Sequence, residues 1–158
     1  MLPFIFSAVI VVLDQIVKYL IKTNFALHEV RPLVNGVLSL TYERNTGAAF
    51  SLLREHTWLL TAVSAIFAII IIWFMLKKYI KHPLGVWSLA AVLGGAVGNL
   101  IDRIAYGFVI DMFKTEFINF AIFNIADVFI TCGGILLCVY LLFFYKKDHP
   151  GTLGNTKS

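Results

Sequence analysis

Two aspartates, Asp111 and Asp127, are the side chains of this sequence best suited to chemistry, because each interrupts a largely apolar stretch. Two carboxyl groups held close together cannot both ionise cheaply, so they share one proton. The ionised member can take a proton from water while the protonated member hydrogen-bonds a carbonyl oxygen, as in aspartyl peptidases. Spacing alone is weak support for this chemistry, since many membrane proteins contain two such residues.

Other reaction chemistries lack their sequence signatures. The chain contains no HExxH, no GxSxG, no phosphate-binding loop and no cluster of cysteine and histidine. Its histidines, at positions 28, 56, 82 and 149, are widely separated and fall in loops.

The solvent for most of the chain is lipid. Its 158 residues are 59% hydrophobic and 14% charged, with a mean hydropathy of +0.86, far from the composition of soluble domains. Four stretches reach the roughly 20 apolar residues that a membrane-spanning helix requires. We therefore predict an all-α integral membrane protein with four transmembrane helices, at about 2–22, 57–76, 86–105 and 121–145.

Lysines in the short loops predict the orientation in the membrane. Lys77, Lys78 and Lys81 follow the second stretch, and Lys146 and Lys147 follow the fourth, so we expect these ends in the cytoplasm. Both termini would then be cytoplasmic. The net charge of +4 comes largely from these lysines, and no basic stripe indicates a nucleic-acid partner.

Outside the membrane we predict two further elements, within a single domain that spans 1–147. The polar insertion 28–56 contains an Asn-Gly turn and a run of strand-forming residues, which predicts a small extracytoplasmic β-sheet. Apolar and charged residues mix over 112–119, which predicts a short interfacial helix. We expect 148–158, which is rich in polar residues and glycine, to be a disordered cytoplasmic tail.

Ionisable residues inside membrane helices are costly and are therefore functional candidates. Asp14 and Lys18 lie one turn apart and can form an ion pair, either to neutralise charge for packing or to support a site. On the third helix, Asn99, Asp102 and Arg103 share one face, either as a structural hydrogen-bond network or as a clamp for substrate. Two glycines, four residues apart on that helix, permit close packing.

The intramembrane charges all fall in the outer third of the membrane. We expect Asp111 just beyond the outer end of helix three, and Asp127, after Asn124, about 9 Å below the outer end of helix four. The inner halves of the helices are almost bare of polar groups. That distribution favours an enzyme with a one-sided pocket over a proton-coupled carrier, which needs a polar route to both sides. A structural subunit that binds a partner helix is a third interpretation.

Five ordered motifs run from residue 14 to residue 127. They are Asp14-Gln15-x-x-Lys18, Arg44-Asn45-x-Gly47-Ala48-Ala49-Phe50, Gly94-Gly95-x-x-Gly98-Asn99-x-x-Asp102-Arg103, Val109-x-Asp111-Met112-Phe113 and Phe123-Asn124-x-Ala126-Asp127. As a set they are highly specific, and they are similar to the motif series of the lipoprotein signal peptidases (signal peptidase II).

The resemblance implies an aspartic endopeptidase of the bacterial cytoplasmic membrane that removes signal peptides from prolipoproteins, cleaving before a diacylglyceryl-modified cysteine. It assigns catalysis to Asp111 and Asp127 and implies no metal or organic cofactor. We expect a monomer whose active site faces the outer leaflet and whose partners are these prolipoproteins and membrane lipids. The residues that would hold the pocket, the pair or the substrate are Asp14, Lys18, Asn45, Gly47, Asn99, Asp102, Arg103 and Asn124.

Overall fold

The structure is a computed structural model that describes residues 1–47 and 57–145. Predictions that fall on 48–56 and 146–158, which include part of the second motif, the last lysines and the tail, lie outside the described residues. The elements in chain order are α1 (Leu2–Asn24), β1 (Val30–Val34), β2 (Leu38–Asn45), α2 (Thr57–Leu76), α3 (Pro83–Tyr106), β3 (Val109–Thr115) and α4 (Ile125–Phe143).

The four helices of the described chain are each long and apolar enough to cross a membrane, so the predicted fold class is confirmed. Two of them begin elsewhere than expected. α3 begins at Pro83, because proline fits the first helical turn and the His82 side chain accepts the Leu84 N–H at 3.3 Å. α4 begins at Ile125, because Asn124 caps it.

α3 is the central helix of the bundle. It packs against α1, α2 and α4. Of its most apolar 18 residues, 67% are buried inside the protein, compared with 28% for α1 and 17% for each of α2 and α4. Glycines permit this packing. A Cβ on Gly94 would lie 2.8 Å from the Cβ of Ile10 in α1, and one on Gly95 would lie 2.7 Å from Ile130 Cγ1 in α4. α1 and α4 therefore both pack closely against α3.

The sheet has three antiparallel strands in the order β1-β2-β3. Gly36, with a φ of 71°, lies in the predicted turn between β1 and β2. The sheet covers the C-terminal end of α1, where Ile21 packs against Tyr42, Ile110 and Met112. This contact holds β3 against the end of α1.

The prediction of an interfacial helix over 112–119 is wrong. Residues 112–115 belong to β3, and 116–119 form no helical turn. The physical reason is a partner distant in sequence: β2 pairs with β3 and satisfies its backbone groups, so a local helix is not needed. Phe113 and Phe123 then exchange backbone hydrogen bonds of 2.8 and 3.2 Å, which fold the segment after β3 back toward α4.

Candidate active site

A buried lysine organises the ends of the helices that lie next to the sheet. Lys18 of α1 is 1% exposed, and its ammonium lies 2.8 Å from Asp14 Oδ2 and 3.0 Å from Asp102 Oδ2. Asp14 Oδ1 also accepts the Ala126 N–H at 3.0 Å, and Asp102 Oδ2 accepts the Ile110 N–H at 3.0 Å. The lysine-centred cluster of Asp14, Lys18 and Asp102 therefore connects α1 and α3 to the start of α4 and to β3.

Gln15 strengthens the contact between α1 and α3 beside this cluster. Its Nε2 donates to Gly98 O at 3.1 Å and to Asp102 Oδ1 at 3.0 Å. A Cβ on Gly98 would lie 2.6 Å from Asp14 Oδ2, so a glycine at this position leaves room for the carboxylate. Gln15 had a place in a motif but no predicted role, although its position beside Asp14 was a usable signal.

Asp111 reaches the site from strand β3 of the sheet. Glu43 of β2 pairs with Asp111, and two residues further along β2 Asn45 Nδ2 donates to Asp111 Oδ2 at 2.9 Å. Asn124 Nδ2 donates to Asp111 Oδ1 at 2.6 Å. Burial, followed by the negative charge of Asp127, raises the pKa of Asp111 to about 7, although the hydrogen bonds from the two asparagines act in the opposite direction.

Asp127 lies in the first turn of α4, so the expected depth of about 9 Å below the helix end is wrong. The helix begins at Ile125, and Asp127 is its third residue. Asp127 N–H donates to Asn124 Oδ1 at 2.9 Å, and Asn124 N–H donates to Asp127 Oδ2 at 3.1 Å, which is a capping box. Asp127 Oδ1 accepts from Asn99 Nδ2 at 2.8 Å. The same carboxyl group therefore caps its helix and takes part in the site.

Asn99 and Asn124 connect the two aspartates to each other and to the lysine, and Asn45 holds Asp111 from the side of β2. Asn99 Oδ1 accepts from Lys18 Nζ at 2.8 Å and from Asn124 Nδ2 at 3.1 Å. Asn45 Oδ1 accepts a backbone N–H at 2.9 Å, which leaves its Nδ2 for Asp111. Among the donors of the described residues, each oxygen of the two carboxyl groups thus accepts one N–H hydrogen bond, and all of these donors are neutral.

The two carboxyl groups line a cavity of about 430 Å³. Val128 and Cys132, on one wall, are exposed on the surface of α4, so this wall continues into the apolar surface of the bundle. The polar wall is formed by Asn45, Asn99, Arg103, Asp111 and Asp127, and the apolar wall includes Val109, Phe120, Ile122, Phe123, Val128, Ile130 and Cys132.

Arg103 has unused donor capacity at this cavity. One terminal nitrogen lies 3.4 Å from Gly47 O, and the buried Nε has no hydrogen-bond partner within 1–47 and 57–145. Asp102, Asp111 and Asp127 all attract its charge. A carbonyl oxygen that enters the cavity can accept a hydrogen bond from this guanidinium.

The ten predicted site residues all lie in the described part of the chain and form one connected network. The two alternatives for the face of α3 both have a place in it, because Asp102 belongs to the lysine-centred cluster whereas Asn99 and Arg103 reach the cavity. The apolar wall around Phe120 and Phe123 was not predicted. In sequence these aromatic residues look like those of any segment at a membrane interface. They reach the cavity only because the chain after β3 folds back and pairs with it at Phe113 and Phe123.

Two carboxyl groups beside a cavity whose apolar wall continues onto the surface of the bundle can activate water against a carbonyl group. The raised pKa of Asp111 lets the two groups hold one proton between them near neutral pH. Four apolar helices and this site define the class of membrane-embedded aspartic peptidases.

The comparisons with known proteins identify the family within this class. A family model described as signal peptidase (SPase) II matches residues 6–143. The chain belongs to this family, and it is a multi-pass membrane protein and an aspartic peptidase.

Relatives and solved structures agree over nearly the full chain. The lipoprotein signal peptidase of Enterococcus faecalis is 42% identical over 152 residues, which cover 96% of this chain and 94% of the relative. That of Streptococcus pyogenes serotype M6 is 40% identical over 153 residues, with 94% and 96% covered. A bacterial membrane enzyme solved by the in meso method at 2.3 Å resolution superposes with a TM-score of 0.85 at 29% identity, covering 98% of this chain and 94% of that one.

Proposed function

We propose that this protein removes signal peptides from prolipoproteins by hydrolysing the peptide bond on the N-terminal side of the diacylglyceryl-modified cysteine. The observation that carries the proposal is the pair of Asp111 and Asp127, joined through asparagines, at a cavity with a lipid-facing wall. Relatives that carry the name lipoprotein signal peptidase support the substrate class.

In the proposed reaction, Asp111 and Asp127 act as the catalytic acid and base. The ionised carboxylate takes a proton from water as the water oxygen attacks the scissile carbonyl carbon, and the protonated carboxyl gives its proton to the carbonyl oxygen. When the tetrahedral species collapses, the carbon–nitrogen bond breaks and the amine nitrogen receives the proton taken from water. The other aspartate recovers its proton from a hydroxyl of the same species, so the pair returns to its starting state.

The neighbouring residues bind the substrate or hold the pair. Arg103 supplies the free donor capacity that the scissile segment needs, while Asn45, with Gly47, orients Asp111. Asn99 and Asn124 hold the two carboxyl groups in register. The lysine-centred cluster supports them from below as part of one peptidase domain over 1–147.

We infer that both termini are cytoplasmic and that the cavity lies at the outer leaflet. The lysines between α2 and α3 mark the cytoplasmic side, and the charged residues inside α1, α3 and α4 gather toward the opposite ends. A substrate anchored by its acyl chains would meet exposed Val128 and Cys132 together with lipid while its scissile bond reaches the aspartates. One chain supplies all ten site residues, which supports a monomer.

A proton-coupled carrier is not favoured. Its route would need free polar groups in the inner halves of the helices, but the buried serines there are already satisfied within the protein. Ser7 Oγ donates to Ala90 O at 2.7 Å, and Ser88 Oγ donates to Leu84 O at 2.6 Å.

The experiment is cleavage of a diacylglyceryl-modified precursor by the purified protein in lipid nanodiscs, with both products identified by mass. We expect a signal peptide ending at the residue before the modified cysteine. The same precursor without the diacylglyceryl group is the matched control and should remain uncut. Cleavage at another bond, or equal cleavage of both precursors, would contradict the proposed substrate.

A further inference from the structure

The two aspartates differ in what holds them. Asp127 Oδ2 accepts the backbone N–H of Asn124, the residue that caps α4, and the partial positive charge of this helix N-terminus favours an anion. Its Oδ1 accepts from Asn99 Nδ2. Asp111, by contrast, lies on a strand, and within residues 1–47 and 57–145 its carboxyl group accepts only from the side-chain amides of Asn45 and Asn124. The surroundings of Asp127 therefore suit a carboxylate better than those of Asp111.

The polarity of the Asn99 amide is fixed by a charge. Lys18 Nζ can only donate, and it lies 2.8 Å from the Asn99 oxygen, so the Asn99 nitrogen must point to Asp127. Asn124 Nδ2 donates to the same oxygen at 3.1 Å and reinforces this orientation. An ammonium at one end of the amide also polarises it and strengthens the hydrogen bond that its other end gives.

We propose that Lys18 is a positioning residue that acts through Asn99 to keep Asp127 ionised, so that the shared proton resides on Asp111. Asp127 is then the base that takes the proton from water, and Asp111 is the acid that protonates the carbonyl oxygen. This inference rests on the proposed peptidase reaction and assigns the direction of its proton transfers.

The other charges around the pair do not make this distinction. Arg103 of α3 attracts both Asp111 and Asp127. From α1 and α3, Asp14 and Asp102 are each in direct contact with the ammonium of Lys18, which offsets their repulsion of the pair. Lys18 also lowers the pKa of Asp111, but its hydrogen-bonded path to Asp111 is longer, since it runs through Asn99 and then Asn124. Its path to Asp127 runs through Asn99 alone.

The test is the pH profile of kcat for prolipoprotein cleavage by Lys18→Met. Without the ammonium, Asp127 ionises less readily, so the acidic limb of the profile should move to higher pH by about one unit. kcat should fall about tenfold while KM changes little, because the lysine does not touch substrate. Lys18→Arg, which keeps the charge, should return the limb most of the way.

Two control variants separate the effect of the Lys18 charge from misfolding and from loss of packing. The double variant Lys18→Met with Asp102→Asn keeps the formal charge of the three cluster residues at minus one, because only the Asp14 carboxylate remains charged. Its acidic limb should shift as far as that of Lys18→Met. Gln15→Met removes contacts between α1 and α3 without touching Asn99. It should lower the melting temperature and leave the acidic limb in place.

A double-mutant cycle with Asn99→Ala decides whether Lys18 acts through Asn99. Asn99→Ala alone should move the acidic limb upward, and adding Lys18→Met should move it no further. Additive shifts would overturn the inference, as would an unmoved limb in a folded Lys18→Met variant or an equal shift in Gln15→Met. In each of these results the wild-type enzyme still cleaves the precursor, so they are distinct from failure of the proposed function, in which it does not.

Discussion

The four acidic residues where the helices meet the sheet divide into two regions with opposite surroundings. In the lysine-centred cluster, Asp14 and Asp102 share one ammonium and accept backbone N–H groups, and each is 0% exposed. At the cavity, Asp111 and Asp127 receive neutral donors and face space that a substrate can enter. The difference supports two purposes for one type of side chain: the carboxylates paired with Lys18 hold helices together, and in the proposed reaction the pair at the cavity keeps a movable proton.

The largest effect should come from removing that movable proton. Asp111→Asn and Asp127→Asn each preserve shape but cannot exchange a proton, so each should lower kcat about 10³-fold. The double variant should be no worse than either single variant, because the two groups act as a unit. Melting temperatures measured beside kcat should stay near that of the wild type. Large losses of stability in both variants would instead place these aspartates with the cluster.

Asp14→Ala should have the opposite signature. It leaves Lys18 with one fewer counter-ion and the Ala126 N–H without its acceptor, so we expect a loss of about 3–5 kcal/mol in the free energy of unfolding. Unfolding in mixed micelles measures this quantity. The control is Glu29→Ala, which removes an exposed ion pair with Arg31 and should leave the melting temperature unchanged. Equal effects of the two variants would mean that burial of the cluster contributes nothing.

A smaller loss of stability and activity is expected from crowding the contact between α3 and the start of α4. A methyl group on Gly95 would press on Ile130 and on the backbone at Ala126, next to Asp127. Gly95→Ala should therefore cost about 1–3 kcal/mol and also slow turnover by displacing the start of α4. Gly134→Ala is the matched control, because Gly134 lies in α4 and the added carbon would have nothing within 4 Å. Similar losses in both would rule out crowding as the cause.

The smallest effect is a shift in pH dependence at Asp111. Its pKa is raised to about 7, so the protonated form persists up to that pH and activity should fall as pH rises through it. Asn45→Ala removes a donor that favours the carboxylate, so the pKa should rise further and the basic limb of kcat should move to higher pH. His28→Ala tests the exposed histidine beside Glu43 and should not move the limb. A limb that disappears with His28→Ala would assign the titration to that residue instead.

Sequence reasoning succeeded where the physical signal is local. Apolar length gave the four spans, and the four-residue spacing of Asp14 and Lys18 gave their ion pair. The sequence also contains a signal for the start of α4, because Asn124 and Asp127 have the spacing of a capping box. The predicted helix nevertheless began too early, because the residues before Asn124 are apolar.

The prediction of a helix over 112–119 failed because the structure of this segment depends on residues that are distant in sequence. Phe113 and Phe117 among charged neighbours fit an amphipathic helix, and nothing local reveals that the first belongs to a strand paired with β2. The same limit applies to the donors of the pair: Asn45 and Asp111 are 66 positions apart, and only the sheet register brings them to 2.9 Å.

The most direct test of the central claim, that Asp111 and Asp127 act on a water molecule, is a single turnover of the wild-type enzyme in water labelled with heavy oxygen. Acid–base catalysis by the pair predicts that the new carboxyl group of the released signal peptide carries the label from the first turnover onward. Mass spectrometry of that peptide reads the result. An unlabelled carboxyl group in the first turnover would mean that an enzyme oxygen attacked the substrate, which would contradict the assignment of both aspartates as proton carriers.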